Sequence, residues 1–218
     1  MNLVVVQRTD ERYQDIRNRH YVDNHGTIGQ QIHFLIVKDN QPIGIISGAS
    51  SVYGVKTRDD FFNIPNDQNI KQKFYLPAII NNTVFRLELH EKNLATQILS
   101  RWRKTISEMW KYVYGIPVIG FETFVVEEDY RKGTLYKADN WTFVGKTFGS
   151  AKSHNGLLIN KSSRLETNQK LIYCKWNSKK PIVPNFEYIS SWRNETVEEK
   201  ERNKLIKIKK DELLGTEI

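Results

Sequence analysis

The sequence predicts an α/β fold of the mixed α+β kind, with one central mixed sheet flanked by helices. Three observations carry this. Short branched and aromatic runs alternate with segments of helical period along the whole chain. One long amphipathic stretch, LATQILSRWRKTISEMWKYVYG, follows the fourth predicted strand. A strand, a short helical segment and a second strand then follow in FETFVVEEDYRKGTLYKADNWTFVGKT, residues 121–147.

Taken in order, NLVVVQ reads as a strand, and Asp10 is placed to cap the helix behind it. That helix, ERYQDIRNRHYV, sets Tyr13, Ile16, Arg17 and His20 at helical spacing. A polar, glycine-containing loop follows. IHFLIVK, the turn DNQP and IGIISGAS read as an antiparallel hairpin. Residues 51–66 form a long connection with one helical turn at RDDFF, a length that suggests a functional loop. KQKFYLPAII reads as a weak helix ended or bent by Pro77. NNTVFRLELH alternates like a strand. Asn93 is placed to cap the long helix, whose stripe is Leu94, Ile98, Trp102, Ile106 and Met109; Gly115 ends it and Pro117 blocks its continuation. KLIYCKW is a further strand, and ETVEEKERNKLIKIKKDELL a charged terminal helix, marginal alone. The expected division is a catalytic domain at 1–150 with a basic extension at 151–218 packed on it.

The chain has 218 residues, a mean hydropathy of -0.56 and a net charge of +8. No apolar run approaches the ~20 residues of a membrane span, so no membrane partner is expected. The opening MNLVVVQRTDER does not read as a signal peptide. The single cysteine, Cys174, excludes an intramolecular disulfide and a cysteine-based zinc cage. Together these point to the cytoplasm. The basic excess is uneven: residues 146–193 hold nine Lys/Arg against two Glu, a net of +7. Such a block suits a phosphate-tracking surface for double-stranded DNA, or is simply a solvated lysine-rich face.

Glu122 interrupts the apolar run Val118–Val126. A carboxylate in such a strand costs several kcal/mol, roughly, unless it is paired or protonated, so it reads either as a site residue or as a buried partner of Arg86. As a site residue it is a candidate general base, with Arg86 placed to hold a carboxylate, a phosphate or a donor carbonyl. Asn140 suits either a bidentate pair with an adenine edge or a helix cap. Tyr53 and Phe61, on the long loop, are candidates to stack on a flipped base, with Lys146, Lys152 and Lys161 on flanking phosphates. His20 with Glu122 is an alternative pair of ligands for one non-haem metal such as iron.

The element order and the segment LYKADNWTFVG resemble the acyl-CoA-dependent N-acetyltransferase superfamily, which implies an N-acetyltransferase-like fold and a small-molecule acyl donor. A narrower likeness is to the Mom family of phage DNA modification proteins. It is carried by RNRHY at 17–21, IGIISG, FRLE at 85–88, FET at 121–123 and GTLYKADNWTFVGKT at 133–147. The chain also resembles the Druantia-type defence domain through NNTVFRLE, NLATQILS, YGIPVIGFETFV and GTLYKADNW. The Mom resemblance implies conversion of adenine in DNA to its N6-carbamoylmethyl derivative, protecting phage DNA from restriction. It places His20 and Tyr21 in the site, and the superfamily gives Tyr136 the role of tyrosine general acid. The superfamily's glycine-rich pyrophosphate loop is replaced here by HEKNLATQ, which leaves the backbone amides of Leu94, Ala95 and Thr96 as the phosphate-binding candidates. The donor and a homodimer therefore stay open. Two other readings compete: a small-molecule or peptide N-acyltransferase, which predicts CoA binding and indifference to DNA, and a non-catalytic DNA-binding defence subunit, which predicts DNA binding without a mass change.

Overall fold

A computed structural model describes residues 1–22, 29–147, 169–178 and 199–218. The described residues form a seven-stranded sheet in the order β1-β2-β3-β4-β5-β7-β6. Its strands are β1 (Asn2–Val6), β2 (Gln31–Lys38), β3 (Gln41–Ser50), β4 (Ile79–Leu87), β5 (Gly120–Val126), β6 (Thr142–Lys146) and β7 (Lys170–Trp176). The helices are α1 (Glu11–Asn18), α2 (Lys56–Phe61), α3 (Gln68–Ile70), α4 (Leu94–Tyr114), α5 (Thr134–Ala138) and α6 (Glu199–Leu213).

Local chemistry accounts for most of these elements. The Asp10 carboxylate accepts from the Arg12 and Tyr13 N–H groups and starts α1. Asp39 and Asn40, both at positive φ, make the two-residue turn between β2 and β3; the hairpin is tighter than the four-residue turn expected, and Gln41 and Pro42 belong to β3. The weak helix expected at 71–80 becomes a π turn at Lys71–Tyr75 and a 3-10 turn at Leu76–Ala78 containing Pro77, with the short α3 before them; Ile79 and Ile80 belong to β4. Asn93 precedes α4, but at φ 62 its side chain caps nothing. Gly115, at φ 69, ends the helix as expected.

The α4 stripe is buried as expected and forms one core with Ile32, Phe34, Ile46, Ile80 and Phe121. On the other face, α1 packs Tyr13 and Ile16 over Val4, Leu35, Ile45 and Val84. Two features were not expected. Residues 215–218 pair with β1, Leu3 and Ile218 exchanging backbone bonds of 2.9 and 3.0 Å, and α6 lies against α4. Moreover, β7 lies between β5 and β6, hydrogen-bonded to both, so this strand of the expected extension is part of the sheet and not packed upon it.

The sheet is split. β4 and β5 are parallel and pair only at Ile79–Asn81 with Gly120–Glu122. Beyond that point both strands continue without partnering each other, β4 to Leu87 and β5 to Val126. Just past the last pair, β4 carries a bulge: Ser47 faces Val84 while Gly48 faces Asn82, so Thr83 is the extra residue.

Candidate functional site at the sheet split

Tyr136, on α5, reaches the apex of the split. Gly133 positions α5, at φ 66 and so close to Tyr173 that a Cβ would stand 2.3 Å from its ring. The Tyr136 ring lies on Tyr173 at 5.9 Å and edge-on to Trp141 at 5.1 Å. Its hydroxyl donates to Asn82 Oδ1 at 2.8 Å. Burial pushes the phenol pKa well above its ordinary value; the Thr123 hydroxyl opposes the rise and Tyr21 adds to it.

On the α4 side the split opens into a cleft of about 470 Å³, lined by Phe85, Leu87, Leu89, His90, Glu91, Ala95 and Leu135. On the α1 side the segment after α1 crosses the split. Arg86, on β4, donates to the Arg19 carbonyl. Tyr21 stands beside Val126 at the end of β5, whose backbone opposes the rise that burial imposes on its phenol. The Arg131 guanidinium carbon lies 3.5 Å from the centre of the Tyr21 ring, and His20 stacks on Tyr21 at 4.3 Å. Burial and then Arg17 push the His20 pKa down to about 4, with Arg86 and Arg131 adding to the effect. Its Nδ1 accepts from the Val22 N–H at 3.2 Å, which leaves the proton of the neutral ring on Nε2.

The structure thus brings His20, Tyr21, Arg86 and Tyr136 to one split, and it adds Asn82 and Arg131, which sequence reasoning missed. Asn82 was hidden in the NNT run that opens the strand, and Arg131 in a turn that read only as charged.

Glu122 does not join them. Strand alternation sends Glu122 and its cross-strand neighbour Cys174 to one face of the sheet, and Thr123 and Tyr173, the neighbours of Tyr136, to the other. Glu122 is fully buried, and its partner is Arg58, at 2.7 Å, not Arg86. Arg58 also donates to Ser51 Oγ at 2.8 Å, the Val52 carbonyl at 2.7 Å and Asp59 at 2.6 Å. The Val52 N–H reaches the other Glu122 oxygen at 3.3 Å. Burial lifts the Glu122 carboxyl above the usual range while Arg58 opposes it. This arrangement ties the 51–62 segment to the sheet, and among the described residues the carboxylate has no exposed surface. The expected base is therefore a structural ion pair. For the same reason His20 and Glu122 do not converge on a metal: one is surrounded by arginines, the other is spent on Arg58. Among the described residues no cluster of three or more His, Cys, Asp or Glu is placed to hold a metal.

The remaining expected residues fall elsewhere. Phe61 packs edge-on to Phe62 at 4.9 Å and near Trp176, on the Glu122 side. Tyr53 lies under the Lys71 ammonium at 4.9 Å, and Lys71 in turn pairs with Asp59. Both aromatics are thus away from Tyr136. Asn140 is the left-handed residue behind α5, its N–H bonded to the Lys137 carbonyl at 3.0 Å and its own carbonyl taking Lys175 at 3.3 Å: the helix-end reading holds. Lys146 pairs with Glu127 at 2.6 Å. Lys152 and Lys161 lie outside the described residues, as does most of the basic block.

The acyl-CoA implied by the fold is tested at Leu94–Thr96. The apolar cleft walls suit a pantetheine-like arm. The helix start does not suit a diphosphate. The Leu94 N–H is already bonded to the Glu91 carbonyl at 3.3 Å, and the Glu91 carboxylate lines the same cleft, paired with Lys38 at 2.6 Å. No glycine is present in the turn to bring backbone close to phosphate.

No curated protein matches the chain in sequence. Solved structures do match in fold. Arabidopsis thaliana NAA60 in complex with acetyl-CoA matches with a TM-score of 0.51 at 14% identity, over 80% of this chain and 97% of that one. The aminoglycoside 6'-N-acetyltransferase from Enterococcus faecium matches with a TM-score of 0.50 at 9% identity, over 84% of this chain and all of that one. The fold is accordingly N-acetyltransferase-like, as expected. In sequence, the family described as Druantia protein DruA matches residues 1–176, and the chain belongs to that family.

Proposed function

We propose that the protein is a group-transfer enzyme acting on an amine, and that its acceptor is the exocyclic N6 amine of adenine in DNA, converted to the N6-carbamoylmethyl derivative. The observation that supports this best is the split itself. A buried phenol stands between an apolar cleft on one face and a mouth of stacked aromatic and cationic groups on the other. The cleft suits a small-molecule donor. The mouth, with Arg17, Arg86 and Arg131 close to His20, suits a polyanionic acceptor.

Each residue has a role in this reading. Tyr136 contacts the amine. As the amine nitrogen bonds the donor's CH2 carbon and the bond to the leaving group breaks, His20, neutral with its proton on Nε2, donates a hydrogen bond to the charge that develops on the leaving group, and Arg86 adds positive field. Tyr21, held between Arg131 and His20 and 43% exposed, forms the outer lip of the mouth. The Mom resemblance supplies the carbamoylmethyl product. Membership of the Druantia protein DruA family agrees with action on DNA.

Nucleoside mass spectrometry of DNA from bacteria expressing the protein tests this. The expected result is deoxyadenosine heavier by one carbamoylmethyl group, absent for Tyr136→Phe. Unmodified DNA alongside soluble, folded protein overturns the DNA reading. A small-molecule or peptide N-acyltransferase then becomes the better account, to be met by acylation of amine panels.

A further inference from the structure

Asn82 is 4% exposed, and every polar atom of its side chain is used. Its Nδ2 donates to the Ser47 carbonyl at 3.0 Å and to the Val84 carbonyl at 3.1 Å. Both acceptors are backbone oxygens, one on each side of the bulge, and neither can act as a donor. The amide therefore has one orientation, with Oδ1 toward Tyr136. An oxygen there can only accept, so the Tyr136 hydroxyl must give its proton to Asn82, at 2.8 Å. The neighbouring Thr123 hydroxyl is committed to the Asn82 carbonyl at 3.1 Å. The phenol thus has its proton turned inward to Asn82 and the Thr123 hydroxyl beside it, and its remaining acceptor capacity is what it can offer a ligand.

We infer that Asn82 is a positioning residue that presents Tyr136 to the ligand as a hydrogen-bond acceptor, so that the site selects a group carrying an N–H. This reverses the general-acid role given to Tyr136 by resemblance. The selection half rests on the group-transfer reading proposed above; the direction of the proton does not.

Nuclear magnetic resonance of the full chain carrying 13Cζ-labelled tyrosine separates the two. The Tyr136 hydroxyl proton is expected to exchange slowly, and both Asn82 amide protons likewise. In Asn82→Ala the hydroxyl exchanges roughly tenfold faster or more, about the weight of one buried hydrogen bond, whereas Thr123→Val leaves it unchanged. Exchange of the wild-type hydroxyl at the solvent rate, or equal exchange in folded Asn82→Ala, overturns the assignment. If Asn82→Ala does not fold, the wild-type amide decides: fast exchange of either Asn82 amide proton overturns the lock. For selection, 2'-deoxyadenosine is expected to move the Tyr136 13Cζ resonance, and 2'-deoxyinosine, whose 6-position is a carbonyl, is not. Equal responses, or none, sink selection while the proton direction stands. A confirmed proton direction with no DNA product would instead count against the proposed function.

Discussion

Two buried polar groups face away from each other across β5, and they have opposite characters. Around Glu122 and Arg58 the donors and acceptors are matched on the protein itself, and both side chains are fully buried. Around Tyr136 the donor is matched to Asn82, the acceptor side faces only the Thr123 hydroxyl, and the neighbouring Leu135 lines a cleft. The lesson is that burial of a titratable group does not distinguish a site from a strut. What distinguishes them is whether hydrogen-bonding capacity is left over, and whether it has access to a ligand.

The comparison is broken most forcefully at the closed side. Glu122→Gln or Arg58→Met removes one partner of a buried ion pair and is expected to cost about 3–5 kcal/mol in chemical denaturation. The double variant Glu122→Leu/Arg58→Met should recover part of that loss. If Glu122→Gln instead keeps full stability while nucleoside modification disappears, Glu122 is a base after all. At the open side, Tyr136→Phe removes the hydrogen bond offered to the reacting amine and is expected to lower the rate of modification by about 100-fold. It should destabilise the fold by about 1–3 kcal/mol, because Asn82 Oδ1 loses its donor.

Acid sharpens the comparison next. His20 and His33 both have folded pKa values of about 4, below the ordinary 6.5, chiefly through burial. The unfolded chain therefore binds these protons first as the pH falls. Their contribution is complete above about 6.5, declines below it, and is lost once the pH passes about 4. Thermal melts between pH 7 and 4 should show this slope, and His20→Gln should flatten it. The smallest effect belongs to the surface pair: Lys146→Ala should change stability by about 0–1 kcal/mol, since both side chains are exposed to solvent and salt.

Much of this architecture was legible in the sequence, because periodicity and caps are local. The α4 stripe, the Asp10 cap, the Gly115 stop and the order of strands follow from residues close in sequence. The placement of His20, Tyr21, Arg86 and Tyr136 around one opening was legible only through resemblance. Arg58 was not legible at all: RDDFF looks like a charged surface turn, and its partner is 64 residues away. The split between β4 and β5 leaves no residue pattern of its own, since β5 alternates normally along its length and the shift in β4 shows only against β3. Asn82 matters because of a bulge, and a bulge is a relation between two strands.

Thr83 acts as a change of parity in β4. Before it, even-numbered residues such as Ile80 and Asn82 face α4; after it, odd-numbered ones, Phe85 and Leu87, do. Absorbing this residue into the regular ladder, instead of bulging it out, would restore plain two-fold counting through it and downstream. Arg86 would then swing into the apolar cleft and Leu87 out toward α1. The greasy wall on one side and the cationic mouth on the other therefore depend together on one inserted residue that touches neither.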